Sequence, residues 1–340
     1  MVAEISARGE KAALAAVRKA HEIVHAGRGQ HRITDLTKTS FEDVRSSYFR
    51  LFVPVKSERM RLPTSLPEFS EFRHHAALSD SPVTAAATLG GHWSEHNLAA
   101  ITHVAACNFR CSYCYVDYRL LAGDHARRTT AGEIVTNFVD IRRRLAEDGQ
   151  WLSILRVSGG EPLLAPDLIT EVHQELDRRG LLDSCMVKVE SNLSALPYSY
   201  GRLDRNSRAA LRDVSPQITL HATLHAKPGE RDWPLVRQGL ALAVDLGMDV
   251  YPAIGGADWT MADMRALFDA LQSVARGLVH RLAVRPFNLS YAERHGRRPA
   301  LKEAAGRPPS LSASAAWEVL LQERTGDFYL ARPRHVIGLR

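Results

Sequence analysis

The sequence predicts an α/β protein built on a parallel sheet, with a mainly helical N-terminal extension and a C-terminal tail. Three observations predict it. Short apolar runs alternate with segments of helical periodicity six times between about residues 100 and 290. Strands linked in this way become parallel, because helices are the usual crossover connections. Two motifs rich in cysteine or glycine each follow one of the apolar runs, where ligands gather in such sheets.

The extension is assigned residues 1–97. Ser6 to Ala26 reads as an amphipathic helix with Leu14, Val17 and Val24 on one side. An apolar segment with Tyr48, Phe49, Leu51, Phe52 and Val53 follows, then a proline-punctuated stretch from Pro63 to His75. The core is assigned residues 98–295, with strands expected at Ile101–Ala106, Leu152–Val157, Met186–Glu190, Gln217–His221, Val250–Ile254 and Arg281–Arg285. Thr130 and Glu133 have the spacing of a capping box. Ile134, Phe138, Ile141 and Leu145 then recur at helical spacing up to Gly149. Leu168, Val172 and Leu176 mark a helix stopping at Gly180, and two more run from Trp233 to Gly247 and from Thr260 to about Arg276. Residues 296–340 are an Arg/Pro-rich stretch, a helix near Ala313–Gln322 and a polar tail.

Composition narrows the class. The 340 residues are 45% apolar and 24% charged, ordinary values for a globular protein. No apolar run is long enough to span a bilayer. The first residues include Glu4, Arg8, Glu10 and Lys11 where a secretory segment needs apolar ones, so a cytoplasmic placement is expected. A formal charge of +6 favours anionic partners. The arginines are scattered in small groups (Arg142–Arg144, Arg178–Arg179, Arg294–Arg298) without interleaved aromatics, so a nucleic-acid partner is not expected.

Cys107, Cys111 and Cys114 put three soft ligands on one short loop after the first core strand. Three thiolates can hold an iron–sulfur cube at three corners and leave one iron open. A zinc site completed by His103 or Asp117 is the alternative, but the second Cys-x-x-Cys unit usual in zinc knuckles is absent. The remaining cysteine is Cys185. About forty residues on, Ser158-Gly159-Gly160-Glu161-Pro162 follows the second strand. Its glycines allow a sharp turn and close approach to a ligand, Glu161 offers a carboxylate to an amino group, and Pro162 stiffens the exit.

With both motifs in place the sequence resembles the radical S-adenosylmethionine (radical SAM) superfamily. Cys107, Cys111 and Cys114 match its three-cysteine signature, with Tyr113 at the aromatic position before the last cysteine. Gly159, Gly160, Glu161 and Pro162 match its methionine-binding turn. The resemblance implies a partial (β/α)6 barrel, one [4Fe–4S] cluster on the three cysteines, and SAM chelated to the open iron. It also implies an external one-electron reductant of the flavodoxin or ferredoxin type. One-electron reduction in that family releases a 5′-deoxyadenosyl radical, which abstracts hydrogen from substrate. Ser191-Asn192 resembles the family's Ser/Thr-Asn-Gly turn, which assigns Asn192 to SAM, although Leu193 stands where the family has glycine.

The carboxyl ends of the later strands supply the remaining candidates. Lys188, Glu190 and Asn192 alternate along the third strand and so share one face, a costly arrangement unless it lines a wet or ligand-filled cavity. Lys188, Glu190 and His221 are expected to orient substrate or move protons, and His225, Arg285 and Asn288 to bind it. Ala253-Ile254-Gly255-Gly256 places Ile254 and its glycines beside the adenosine. Cationic groups at the rim, and no cysteine after Cys185 to hold an auxiliary cluster, favour a small acidic sugar or nucleoside as substrate. In this the chain most resembles the cytosylglucuronate decarboxylase type of antibiotic-pathway lyase. A glycyl-radical activating enzyme, a peptide-modifying enzyme and an iron–sulfur sensor are the alternatives. The extension is expected to act as a lid.

Overall fold

A computed structural model describes residues 2–27, 29–54, 81–111, 113–255, 259–285, 313–326 and 338–339. Its centre is a ten-stranded sheet. Six of the strands run parallel in sequence order: β4 (Ala99–Val104), β6 (Ile154–Gly159), β7 (Met186–Ser191), β8 (Ile218–Thr223), β9 (Asp249–Gly255) and β10 (Ala283–Arg285). These are the six expected strands, shifted by up to two residues at their ends. The sheet is an open path rather than a closed barrel.

The extension differs from expectation in an instructive way. Its longest element is a helix, α1 (Val2–Val24), but three short strands join the sheet from the same region. They are β1 (His25–Gly27), β2 (Gln30–Thr34) and β3 (Arg50–Phe52). β2 and β3 both pair antiparallel with β4, and β2 also pairs with β5 (Ala126–Thr129). The exposed edge of β4 is thereby covered, which removes an unpaired row of backbone donors and acceptors. On α1 the buried positions are Ala13, Val17, Ala20 and Val24, whereas Leu14 is 41% exposed and lies off that stripe. The stretch Pro63 to His75 lies outside the described residues.

Helices cover the outer face of the parallel strands. α2 (Ser81–Leu89) precedes β4 and lies against the inner face instead, with Ala85 beside Ala99, Ile154 and Met186; α3 (Ala131–Glu147) carries the Thr130–Glu133 capping box with Ile134, Phe138, Ile141 and Leu145 buried. α4 (Pro166–Arg178) buries Leu168, Val172 and Leu176. After α5 (Leu196–Arg202) and α6 (Arg205–Val214) come α7 (Trp233–Asp245) and α8 (Met261–Val274), the latter opened by a second capping box, Thr260 with Asp263. The start expected for β10 is taken by a short helix, α9 (Leu278–Arg281). In α10 (Ala313–Thr325), Trp317 is fully buried and its indole N–H donates to the Val279 carbonyl at 3.1 Å.

Strand parity decides what faces where. Leu155, Val157, Val187, Val189, Leu220 and Val250 join the apolar layers under the helices. The alternate positions face inward. Cross-strand register aligns them in two tiers: Ile101, Arg156, Lys188 and Thr219, then His103, Ser158, Glu190, His221 and Tyr251 nearer the carboxyl ends. An interior so rich in charge cannot be a plain core.

Candidate active site

Two loops meet at the carboxyl ends of β4 and β6. The glycine turn docks on the last residues of β4: Gly160 N–H donates to the Val104 carbonyl at 3.0 Å and Glu161 N–H to the Ala106 carbonyl at 2.6 Å. A Cβ on Gly160 would lie 1.9 Å from the Ala106 carbonyl oxygen, and Gly159 has φ +90 with the His103 side chain 2.4 Å from where its Cβ would be. Only glycine permits this approach. The turn therefore rests against the backbone of the residue immediately before Cys107.

The cysteine loop is pinned by polar contacts. Cys107 N–H donates to the Leu121 carbonyl, and Arg110 donates to the carbonyls of Cys107 and Leu121. Phe109 N–H reaches the Cys107 Sγ at 3.4 Å, Val116 N–H the Cys114 Sγ at 3.4 Å, and Asn192 Nδ2 the Cys107 Sγ at 3.6 Å. Such donors suit sulfurs that carry charge. Burial, then the charges of Glu161 and Cys111, push the Cys107 thiol well above its usual range. A thiolate there needs a cation beside it, which bound iron supplies. Of the alternative zinc ligands, His103 is engaged by Arg50 and Asp117 by the Arg119 N–H. Cys185 is buried just before β7, at the end remote from the rim, with its thiol pushed up to about 12 by burial.

Glu161 faces inward. Oε1 accepts from Leu163 N–H at 2.9 Å and Ser191 Oγ at 2.6 Å, and Oε2 accepts from Asn192 N–H at 2.6 Å. Its carboxylate thus ties the glycine turn to the end of β7 instead of projecting outward toward a ligand amino group. Burial raises its pKa to about 7 against the pull of those hydrogen bonds. The turn after β7 has the shape the family's glycine would give: Leu193 takes φ +67 and is fully buried. A Cβ on Gly239 of α7 would stand 2.1 Å from the Leu193 carbonyl oxygen, so that glycine makes room for the turn. Asn192 then faces the cysteine loop, its Nδ2 also 3.3 Å from Asn108 Oδ1.

Below this rim lies a charged interior. Glu190 forms an ion pair with Arg156, accepts from Ser158 Oγ at 2.8 Å and lies 3.6 Å from His221 Nδ1. Burial alone would raise its pKa, but Arg156, His221 and Lys188 outweigh that and hold it well below the carboxylate range. Lys188 sits one tier deeper and donates to Ser81 Oγ at 2.8 Å. Arg50 reaches in from the extension, donates to His103 Nε2 at 3.1 Å and packs over Phe41, Tyr115 and Phe52. No carboxylate pairs with Arg50 among the described residues. His103 is fully buried and stays neutral, its pKa lowered by burial, Arg50 and Arg156.

Other expected site residues fall elsewhere. His225 meets the cysteine loop: its Nδ1 and the Tyr113 hydroxyl share a hydrogen bond of 2.5 Å, and burial lowers its pKa to about 4. Ile254 is a correction. Its side chain belongs to the apolar layer under the helices with Val250, and only its backbone can border a ligand. Arg285 ends β10 in register with Gly255, and Asn288 lies outside the described residues. Arg50, Arg156, Ser158 and Tyr115 were not anticipated. Arg156, a charge inside an apolar strand followed by Ser158 two residues on, was the readable signal.

A model of the radical SAM superfamily matches residues 101–271, half of the chain, and takes in both loops. The chain belongs to the radical SAM superfamily. Molybdenum cofactor biosynthesis protein 1 of Homo sapiens and of Mus musculus are each 27% identical to it over 157 residues, 45% of this chain and 22% of theirs. The Bos taurus protein is 27% identical over 156 residues, again 45% of this chain and 22% of its own length. The chain thus spans about a fifth of the length of the curated relatives it matches. Membership makes it a radical SAM enzyme and implies a four-iron cluster and SAM, and the donor-lined thiols and the glycine cradle fit both. Among the described residues no helix is long and apolar enough to cross a membrane.

Proposed function

We propose that this radical SAM enzyme abstracts hydrogen from a small anionic substrate, a sugar or nucleoside acid, whose radical loses its carboxylate as carbon dioxide and takes up two protons and a second electron from the external reductant to give the product. The carrying observation is Arg50, which reaches the interior beside the Arg156–Glu190 ion pair with no carboxylate against it among the described residues. A guanidinium placed there without a carboxylate favours a ligand bringing negative charge of its own. Arginine can clamp a carboxylate or phosphate with two parallel N–H donors.

In this reading Cys107, Cys111 and Cys114 hold the cluster, and Gly159–Pro162, Asn192 and Tyr113 border SAM. Bound cluster and SAM supply a carbon radical on one-electron reduction by a flavodoxin- or ferredoxin-type donor. This chain's residues do the rest. Gly160 lets the turn lie close to the cysteine loop, and Glu161 holds it there. Arg50 and Arg156 orient the substrate acid, with His225 and Arg285 at the mouth. Glu190 and His221, 3.6 Å apart, form a proton-holding pair beneath it. The extension, paired to β4 and carrying Arg50, walls the site on one side and excludes water.

The test is a panel of acidic sugars and nucleosides, with their neutral amides, given to reduced, cluster-loaded protein. Acid-dependent 5′-deoxyadenosine with matching carbon dioxide release is expected. Stimulation by neutral analogues alone, or only by a peptide or protein partner, overturns the reading.

A further inference from the structure

Away from the cysteines, three chemistry-bearing side chains converge where the extension meets the helix following the glycine turn. His25 and His31 are directly opposed across the β1–β2 pair, which puts both rings on one face, 5.8 Å apart. Asp167 comes from the first turn of α4. One donor atom from each lies within 4.8 Å of the others. We propose that His25, His31 and Asp167 form a binding site for a divalent transition-metal ion of the zinc type, joining the N-terminal extension to α4.

The surrounding hydrogen bonds set both rings for this. His25 Nε2 donates to the Leu164 carbonyl at 3.2 Å, and His31 Nε2 donates to Glu171 Oε2 at 3.2 Å. Each acceptor requires the proton on Nε2, so each ring presents the lone pair of Nδ1. A metal-bound imidazole is usually fixed in this way, its second nitrogen donating to a carboxylate or a backbone carbonyl. His25 Nδ1 is 3.9 Å from Asp167 Oδ2. His31 is fully buried and its Nδ1 has no partner, nor has the buried Asp167 Oδ1. Buried polar atoms without partners are uncommon, and a cation would satisfy both. The His21 ring packs on His25 with centroids 4.0 Å apart. Two imidazoles and a carboxylate, with a fourth position open to water, is a zinc-type donor set. Metal bonds of about 2.0–2.1 Å require only modest closure of the present spacing.

The full chain, with its cluster loaded, is stripped with chelator and dialysed against zinc chloride. Metal content, the zinc X-ray absorption edge and the thermal midpoint are then read. One zinc per chain beyond the iron, nitrogen and oxygen ligands without sulfur, and a midpoint raised by zinc are expected. Asp167→Asn and the part-exposed His25→Gln each weaken zinc binding at least tenfold while keeping the cluster's absorption. Absence of zinc, sulfur in its coordination shell, or undiminished affinity in both variants overturns the proposal.

Discussion

The rim and the interior solve the burial of charge in opposite ways, and two glutamates show it. Glu161 at the rim has no cation beside it among the described residues; backbone and hydroxyl donors hold it, and burial lifts its pKa to about 7. Glu190 in the interior sits against Arg156 and stays ionised far below that. The rim is a device of backbone geometry, in which glycine and one brace set the shape. The interior is a device of side-chain charge, assembled from β3, β4, β6, β7 and β8. In the proposed reading the first sets where a cofactor lies and the second selects an acidic substrate.

The largest effect falls on the rim. Gly160→Ala drives a methyl group into the Ala106 carbonyl and is expected to cut 5′-deoxyadenosine formation by about a hundredfold or more, on the scale of a misplaced reacting group. Cluster absorption should survive, because the cysteines are untouched. Second, Arg156→Met leaves Glu190 without its cation, and a loss of about 3 kcal/mol in denaturant unfolding is expected. The Arg156→Met/Glu190→Gln double variant should recover much of it. If the two losses simply add, the pair is not coupled as described. Third, Arg50→Gln should raise the KM for an acidic substrate about tenfold with a far smaller change in kcat, the signature of lost uniform binding.

The remaining two effects are smaller. The Glu161 pKa is raised on folding, so the stability it contributes is fully present below its unfolded value, near 4.5, and is lost as pH rises through about 7. For protein free of cluster and SAM, the thermal midpoint of wild type relative to Glu161→Gln should therefore fall across that window. A constant difference would mean that Glu161 does not titrate there. Leu193→Gly tests the turn after β7. The left-handed conformation costs leucine about 1–2 kcal/mol. Burying its side chain contributes about 1.5–3 kcal/mol, so the glycine variant should be slightly less stable despite its easier backbone.

This contrast also governs what could be read from the sequence. Rim motifs are contiguous, so their spacing carried them, and the helices announced themselves through capping pairs and apolar periodicity. The interior takes one or two residues from each strand, and no local pattern links Arg50 to His103 or Arg156 to Glu190. The face that Ile254 takes was not legible, because Val250 to Ile254 is apolar at every position and leaves no alternation to read. The three strands of the extension are three to five residues long, too short for periodicity to register. Leu193 marked a real departure from the family pattern, yet the backbone adopts the glycine-like conformation and Gly239 makes the room.

The central claim is that the cysteine loop and the glycine turn form one SAM-cleaving centre. Its most direct test is anaerobic reconstitution with iron and sulfide, reduction, and measurement of 5′-deoxyadenosine from SAM, with Cys111→Ala alongside. Wild type should bind about four irons and release 5′-deoxyadenosine, while Cys111→Ala loses both the cluster's absorption and the cleavage. A Cys111→Ala protein that keeps both would contradict the account.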